Sequence, residues 1–245
     1  MKIVIAKSYE ELSNKAADEL IKSIPSNKEP LVCIASGDSP TGLYKELVHR
    51  FTTGAINISD WYFLALDEWI GMNGEDEGSC RYYLDKTVFT PLHVQDEHFC
   101  CFNGKAADTQ KECERIEEYI QQHNGIDVAI VGLGLNGHVG LNEPGTNAAL
   151  HSHVSVIDSV TEQVGQKYFA EQKQLTHGIT LGLANLMEAK KVILLVSGER
   201  KAAIIKTVIE GEITEQVPAT ILRHHPNCIV FLDEAAAQLL EPDDK

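Results

Sequence analysis

Val128-Ala129-Ile130-Val131-Gly132-Leu133-Gly134-Leu135-Asn136-Gly137-His138-Val139-Gly140-Leu141-Asn142-Glu143-Pro144-Gly145 decides the fold. Its first four residues are apolar and largely β-branched, the composition of a strand covered on both faces. The next six match Gly-x-Gly-x-x-Gly, the spacing of a dinucleotide-binding turn. That turn must open a helix directly and normally follows the first strand of its fold. Here Gly140, Asn142, Pro144 and Gly145 break any helix, and the segment lies in the middle of the chain. A nicotinamide site is therefore rejected. What remains is a buried strand running into a glycine-rich loop that presents Asn136, His138 and Glu143.

Working outward, six more apolar runs of four to six residues occupy 3–6, 31–35, 62–66, 98–102, 192–196 and 228–232. Between them lie helical patterns. Ser8-Tyr9-Glu10-Glu11 reads as a capping box ahead of Leu12, Ala16, Ala17, Leu20 and Ile21. Residues 43–51, 81–89, 110–121, 184–187 and 200–209 also read as helices. Strand and helix alternating over the whole length specify an α/β protein with a mostly parallel sheet and right-handed crossovers. No linker or repeat interrupts residues 1–245, so one domain is expected. The acidic end Glu241-Pro242-Asp243-Asp244-Lys245 reads as a solvated tail.

Lys and Arg total 21 against 36 Asp and Glu, a formal net charge of −15. Nucleic acid and anionic membranes need a basic face, so neither is an expected partner. A small anion in a local pocket is compatible with that charge. No apolar run approaches a membrane span, and the opening stretch is too short for a signal peptide, so a cytoplasmic protein is expected. A homo-oligomer is left open. None of the six cysteines forms Cys-x-x-Cys; Cys33, Cys100, Cys101 and Cys228 read as buried thiols rather than a disulfide or zinc framework. His151-x-His153 and His224-His225 lack a nearby third ligand, so no metal is expected.

In parallel sheets ligands bind beyond the carboxyl ends of the strands. Three further strand ends carry chemistry there. Ser36-Gly37-Asp38-Ser39-Pro40 leads into a helix; small residues, exposed N–H groups and the helix start make an anion cradle. It is not a Walker loop, because no Gly-Lys-Ser/Thr follows. Asp38 is awkward in such a cradle, and its carboxylate is expected to point away. Leu66-Asp67-Glu68-Trp69 places a carboxylate at an apolar strand tip, where lost hydration raises its proton affinity towards that of a useful base. Ser197-Gly198-Glu199-Arg200-Lys201 opens a helix with Ser197 as the expected N-cap. A cation in that first turn opposes the helix dipole unless an anion binds there.

Together these segments resemble the glucosamine-6-phosphate deaminase/isomerase family, in order and over essentially the whole chain. The resemblance continues through residues 177–182 and 208–211. Related 6-phosphogluconolactonases share a Gly-His loop but lack the Asn-Glu-Pro continuation and the Asp-Glu-aromatic tip. The resemblance implies a modified doubly wound, Rossmann-like sheet with helices on both faces. It implies a metal-free, cofactor-free conversion of a 2-amino-2-deoxy-hexose 6-phosphate to a ketohexose 6-phosphate plus ammonia. By resemblance, Asp67 is the base that carries the C2 proton to C1. His138 opens the sugar ring, oriented by Glu143 and Asn136. Ser36, Gly37, Asp38, Ser39 and Lys201 bind the phosphate, with Lys167 near the place of a phosphate-binding arginine.

Asn136 stands where enteric deaminases carry Asp; it can hydrogen-bond His138 but adds no charge. Trp69 and Cys80 stand where glucosamine-6-phosphate deaminases usually carry tyrosine. They resemble the galactosamine-6-phosphate branch, which implies galactosamine 6-phosphate as substrate and tagatose 6-phosphate as product. The alternatives are a glucosamine-6-phosphate deaminase giving fructose 6-phosphate, a 6-phosphogluconolactonase, and a non-catalytic sugar-phosphate sensor. Residues 145–155 contain no Lys or Arg, whereas regulated members carry basic residues there. Activation by N-acetylglucosamine 6-phosphate is therefore not expected.

Overall fold

A computed structural model describes residues 1–24 and 29–241. In chain order, β1 (Lys2–Ala6) leads to α1 (Tyr9–Ser23), β2 (Leu31–Ile34) to α2 (Asp38–Thr52), and β3 (Tyr62–Ala65) to β4 (Asp67–Trp69) and α3 (Cys80–Leu84). Then come β5 (Phe99–Cys100), α4 (Thr109–Gln122), β6 (Val128–Gly132), β7 (His153–Val156), α5 (Ser159–Gly165) and β8 (His177–Thr180). The chain closes with α6 (Leu183–Glu188), β9 (Val192–Val196), α7 (Ala202–Glu210), β10 (Cys228–Asp233) and α8 (Glu234–Ala237).

Seven strands form one parallel sheet in the order β1-β10-β9-β6-β2-β3-β5. Alternate residues of each strand feed opposite cores, as the two-residue period requires. Leu31, Cys33, Ala129, Val131, Leu194 and Val196 pack towards α4, α6 and α7. Val32, Ile34, Val128, Ile130, Ile193 and Leu195 pack towards α1 and α2. Helices therefore cover both faces, and the runs are apolar throughout because neither side meets water. From β2 the chain steps outward to β3 and β5. It then returns to β6 on the other flank of β2 and moves away to β9 and β10. The reversal leaves a crevice beyond the carboxyl ends of β2 and β6, where doubly wound sheets bind ligands.

A second sheet was not expected from the sequence. Antiparallel β4-β8-β7 pairs Asp67 with Thr180 and Val154 with Ile179. It begins where the chain leaves β3, so Asp67 stands at the junction of the two sheets. The run at 98–102 yields only two strand residues. The Arg115 guanidinium takes the Cys101 carbonyl (2.6 Å) and Glu112 takes the Asn103 amide (2.6 Å), which draws the chain off the edge.

Several boundaries move for local reasons. Ser8 accepts the Glu11 amide (3.2 Å), but the Glu11 carboxylate bonds the Lys7 amide (2.8 Å), so the box is displaced by one residue. The helix expected over 81–89 is α3 followed by a π-helical turn, Asp85–Phe89. Ser197 does not cap the helix after β9. Gly198 turns there with φ +87°, its amide held by Asp233 (3.0 Å), and a 3-10 turn, Glu199–Lys201, precedes α7. Residues 242–245 of the acidic tail lie outside the described residues.

Candidate active site

The anion end begins at Gly37, which precedes α2 at φ +108° and provides no side-chain cap. A Cβ there would approach the Tyr168 hydroxyl to 3.0 Å, so both conformation and space call for glycine. The turn is held by carbonyl bonds from behind. Tyr44 donates to the Ala35 carbonyl (2.6 Å), Tyr83 to that of Gly37 (2.8 Å) and Tyr9 to that of Asp38 (2.7 Å). These three tyrosines come from three helical segments, and the sequence offers no local sign of their role. α2 starts at Asp38 rather than at 43, so Asp38 and Ser39 form its first turn.

Lys201 stands just before α7 and donates to the Leu133 carbonyl at the end of β6. Burial, with Lys167 and Arg200 nearby, pushes its ammonium down to about 8. Holding a half-desolvated cation in this position is costly unless it meets an anion. The Asp38 carboxylate turns outward, as expected, and pairs with Lys167.

The other end of the cavity is carboxylate-rich. Asp67 is only 8% exposed. Burial pushes its carboxyl up to about 6, against a hydrogen bond from the Cys80 thiol and the potential of His138. The Cys80 thiol itself is pushed well up by burial and by the neighbouring carboxylates, so it stays a donor.

His138 is wrapped by its loop. A Cβ on Gly134 would lie 2.4 Å from the imidazole, and Gly137 has φ +86°, so the glycines serve to seat this ring rather than a pyrophosphate. The ring's Nδ1 lies 2.9 Å from the Thr161 hydroxyl and 3.4 Å from Glu143 Oε2. Burial pushes the Glu143 carboxyl up, but the bond and charge of His138, with bonds from Thr161 and Asn136, hold it below its ordinary value. Asn136 differs from expectation in its contact. Its amide donates to Glu143 (2.8 Å) and to the Thr161 hydroxyl (3.4 Å), and its carbonyl oxygen accepts the His138 backbone amide (3.2 Å), so it reaches the imidazole through Glu143 and Thr161. Thr161 was not anticipated, because α5 shows no apolar pattern pointing it at a loop 23 residues earlier.

One cavity of about 870 Å³ brings together Ser36, Gly37, Asp38, Ser39, Asp67, Trp69, Cys80, His138, Lys167 and Lys201. Glu143 and Asn136 stand behind His138 and do not line it. A smaller chamber of about 210 Å³ adjoins it, sharing Ser36, Gly37, Trp69, Cys80 and Tyr168 and reaching Tyr82 and Lys86. The histidine pairs are elsewhere. His151 bonds Glu188 (3.0 Å), and buried His225 bonds the Ala189 carbonyl (2.8 Å). Among the described residues no cluster of three or more His, Cys, Asp or Glu could hold a metal ion, and no helix is long and apolar enough to cross a membrane.

A family model described as glucosamine-6-phosphate isomerases/6-phosphogluconolactonase matches residues 6–231. The chain belongs to this family. Glucosamine-6-phosphate deaminase of Thermoanaerobacter pseudethanolicus is 36% identical over 245 residues, all of this chain and 97% of that protein. Its counterpart in Clostridium perfringens is 35% identical over 242 residues, 98% of this chain and all of that one. A solved structure of a monomeric glucosamine-6-phosphate deaminase, described as a missing link of the NagB superfamily, superposes with a TM-score of 0.94 at 30% identity, covering 98% of this chain and 100% of that chain. A 6-phosphogluconolactonase from Leishmania guyanensis shares the fold at a TM-score of 0.78 and 17% identity, covering 97% of each chain. The family thus spans both an isomerising deamination and a lactone hydrolysis, and the chemistry of the cavity has to separate them.

Proposed function

We propose that the protein converts a 2-amino-2-deoxy-hexose 6-phosphate to a ketohexose 6-phosphate and ammonia. The observation that carries this reading is Asp67, a buried carboxylate with raised proton affinity. It lines the same cavity as an oriented histidine and an anion cradle. A lactonase needs a histidine to activate water but no second base at the Asp67 position.

The phosphate sits on the start of α2 and on Lys201, with Lys167 at its outer side. His138, oriented through Thr161 and Glu143, moves the proton that opens the pyranose ring. Asp67 takes the C2 proton of the open-chain amino aldose and returns it at C1. O1 gains a proton and the amino nitrogen gives one up in the same isomerisation, so C1 becomes the hydroxymethyl carbon and C2 an imine. Addition of water to the imine releases ammonia and leaves the ketose. The curated relatives named above are glucosamine-6-phosphate deaminases, which supports this class. Ammonia release on adding a hexosamine 6-phosphate tests it; a chain that instead opens 6-phosphogluconolactone and releases no ammonia would refute it.

The galacto epimer is the finer reading. The gluco and galacto sugars differ only at C4, which neither the phosphate cradle nor Asp67 senses. Cys80 and Trp69 lie between the main cavity and the side chamber, and the small thiol leaves space that a tyrosine would fill. That space supports acceptance of an axial O4. A pocket that only provides room discriminates by about 10–200-fold, so a preference is expected rather than exclusion. The test is kcat/KM for both epimers in the wild type and in Cys80→Tyr. A wild-type preference for the gluco sugar removes the epimer reading and leaves the deaminase reading intact.

A further inference from the structure

Next to Asp67 stands a second carboxylate that the reaction does not use. Glu68 points to the other face of β4 and is 1% exposed. Among the described residues no cation pairs with it: the Arg81 guanidinium turns to Asp85 (2.7 Å) and lies 4.1 Å over the Phe99 ring. Its partners are backbone amides. Oε1 accepts from Trp69 (2.8 Å) and Cys80 (3.0 Å), and Oε2 accepts from Arg81 (2.9 Å). Burying a carboxylate without a counter-charge is expensive, and capping a helix does not require it. Ser79 already caps α3 through the Tyr82 amide (3.0 Å).

The bonds form a circuit. Glu68 ties its own strand to the first residues of α3. Cys80, the first residue of that helix, lines the cavity with Asp67, and each group shifts the proton affinity of the other. Asp67 is covalently joined to Glu68. The base, the strand that carries it and the helix start opposite it are therefore one closed unit.

We propose that Glu68 is the positioning residue for Asp67, fixing the base and the Cys80 helix start at the separation the sugar must enter. This rests on Asp67 being the base. Glu68 is also coupled electrostatically to Asp67. Burial pushes its carboxyl up to about 7, with the Arg81, Cys80 and Trp69 amides opposing and Asp67 adding to the rise. The titratable groups around Glu68 are Asp67 on its own strand and the Cys80 thiol on α3; β8, which pairs with β4, places Ile179 opposite it. Around Asp67 stand His138, Cys80, Cys33, Tyr44 and Tyr168. Asp67 gives up its proton at about 6 and Glu68 at about 7, so Asp67 ionises first and its charge then holds the proton on Glu68.

Glu68→Gln keeps one acceptor oxygen for two of the amides, but sets an NH2 against the Arg81 amide and removes the charge. With a hexosamine 6-phosphate as substrate, kcat should fall about 10–100-fold, since displacement of a reacting group by about 1 Å costs about 100-fold. The acid limb of kcat/KM should stay at about 6, where Glu68 is already protonated in the wild type. Affinity for inorganic phosphate, which probes the far end of the cavity, should stay within about 2-fold. Glu68→Asp keeps the charge but shortens the reach, so it should lose kcat with the acid limb in place. Normal kcat in Glu68→Gln would overturn the proposal. So would loss of phosphate affinity in step with kcat, or failure of both variants to fold, each of which assigns Glu68 to stability alone. Asp67→Asn run alongside separates the two readings. If it retains turnover, the base assignment fails; if it is inactive while Glu68→Gln is normal, only the role of Glu68 fails.

Discussion

The two ends of the cavity are built on opposite physical principles. At the Asp67–His138 end, carboxylates are stripped of water, no lysine or arginine among the described residues pairs with them, and positions are fixed by hydrogen bonds. At the anion end, charge is abundant and wetter: Lys167 and Asp38 have side chains 44% and 74% exposed, and the helix start of α2 has no side-chain cap. Desolvation suits the first end because a proton-transfer group gains basicity from it. It would not suit the second, where a phosphate must arrive from water and leave again. The contrast implies that substitutions at the buried end strike turnover, whereas those at the exposed end strike binding.

The largest effect tests the buried end directly. Asp67→Asn should lower kcat by about 10²–10⁴-fold or more, the usual loss for a general base, with phosphate affinity retained. In the wild type kcat/KM should fall as pH drops through about 6, because Asp67 then takes up a proton. The sign for stability is opposite. The folded carboxyl holds its proton more tightly than the unfolded one, so its contribution favours the folded state below that pH and opposes it above. Asp67→Asn removes this opposition and should raise Tm at pH 8, read by thermal unfolding. Near-normal turnover, or a lower Tm at pH 8, would break the distinction between the two ends.

The next effect lies behind the histidine. Glu143→Gln keeps the shape but removes the charge that orients His138, and a hydrogen bond to a charged group is worth about 1.5–3 kcal/mol. A drop in kcat of about 10–150-fold with little change in KM is expected from steady-state kinetics. Thr161→Val removes a neutral bond of about 1 kcal/mol to the same nitrogen and should cost about 5-fold. If Thr161→Val proves the more damaging, the 2.9 Å contact rather than the 3.4 Å one orients the ring.

How far the sequence could anticipate this depends on the same contrast. The parallel strands were legible because residues such as Val192–Val196 are buried on both faces and read as unbroken apolar runs. The antiparallel sheet was not. β4 contains two carboxylates in three residues, β8 opens with His177-Gly178, and β7 exposes Val154 and Val156. β4 and β8 show no clean alternation, and β7 alternates with its valines outward and Ser155 buried, since all three are held by cross-strand partners far away in the chain. In the site, Asp67, His138 and Lys201 were legible as residues at strand ends. Glu68, Thr161 and the tyrosines behind Gly37 were not, because their roles exist only once α3, α5 and the helices around Gly37 have packed.

At the anion end, Lys201→Met should raise KM and weaken inorganic phosphate about 10-fold or more, with kcat changed less, because a half-buried cation facing a phosphate contributes like a charged hydrogen bond. The pH dependence also has a definite sign. Lys201 is cationic below about 8, so wild-type KM should rise as pH climbs through that value, and Lys201→Met should flatten the rise. A kcat loss with unchanged KM would place Lys201 with the reacting groups instead.

The smallest effect concerns the pair at the cavity mouth. An exposed ion pair contributes about 0–1 kcal/mol, so Lys167 and Asp38 cannot govern stability. They compete, however, for the same charge that a phosphate would use. Lys167 is paired to Asp38. A phosphate dianion entering between Lys201 and the start of α2 offers Lys167 a second, doubly charged partner, while Asp38 repels it. Asp38→Asn frees the lysine and removes that repulsion, so KM and the inhibition constant of inorganic phosphate should both fall by about 2–5-fold. Lys167→Met should raise both by a similar factor. In the double variant the two changes should not cancel fully, because the repulsion from Asp38 is lost whether or not Lys167 is present. The difference between Asp38→Asn in the wild-type and Lys167→Met backgrounds, measured as a double-mutant cycle at low salt, isolates the competition for the lysine. Both effects should shrink at 0.5 M salt, where exposed charges are screened. If Asp38→Asn instead weakens phosphate binding, the carboxylate holds Lys167 in place for the anion rather than competing for it.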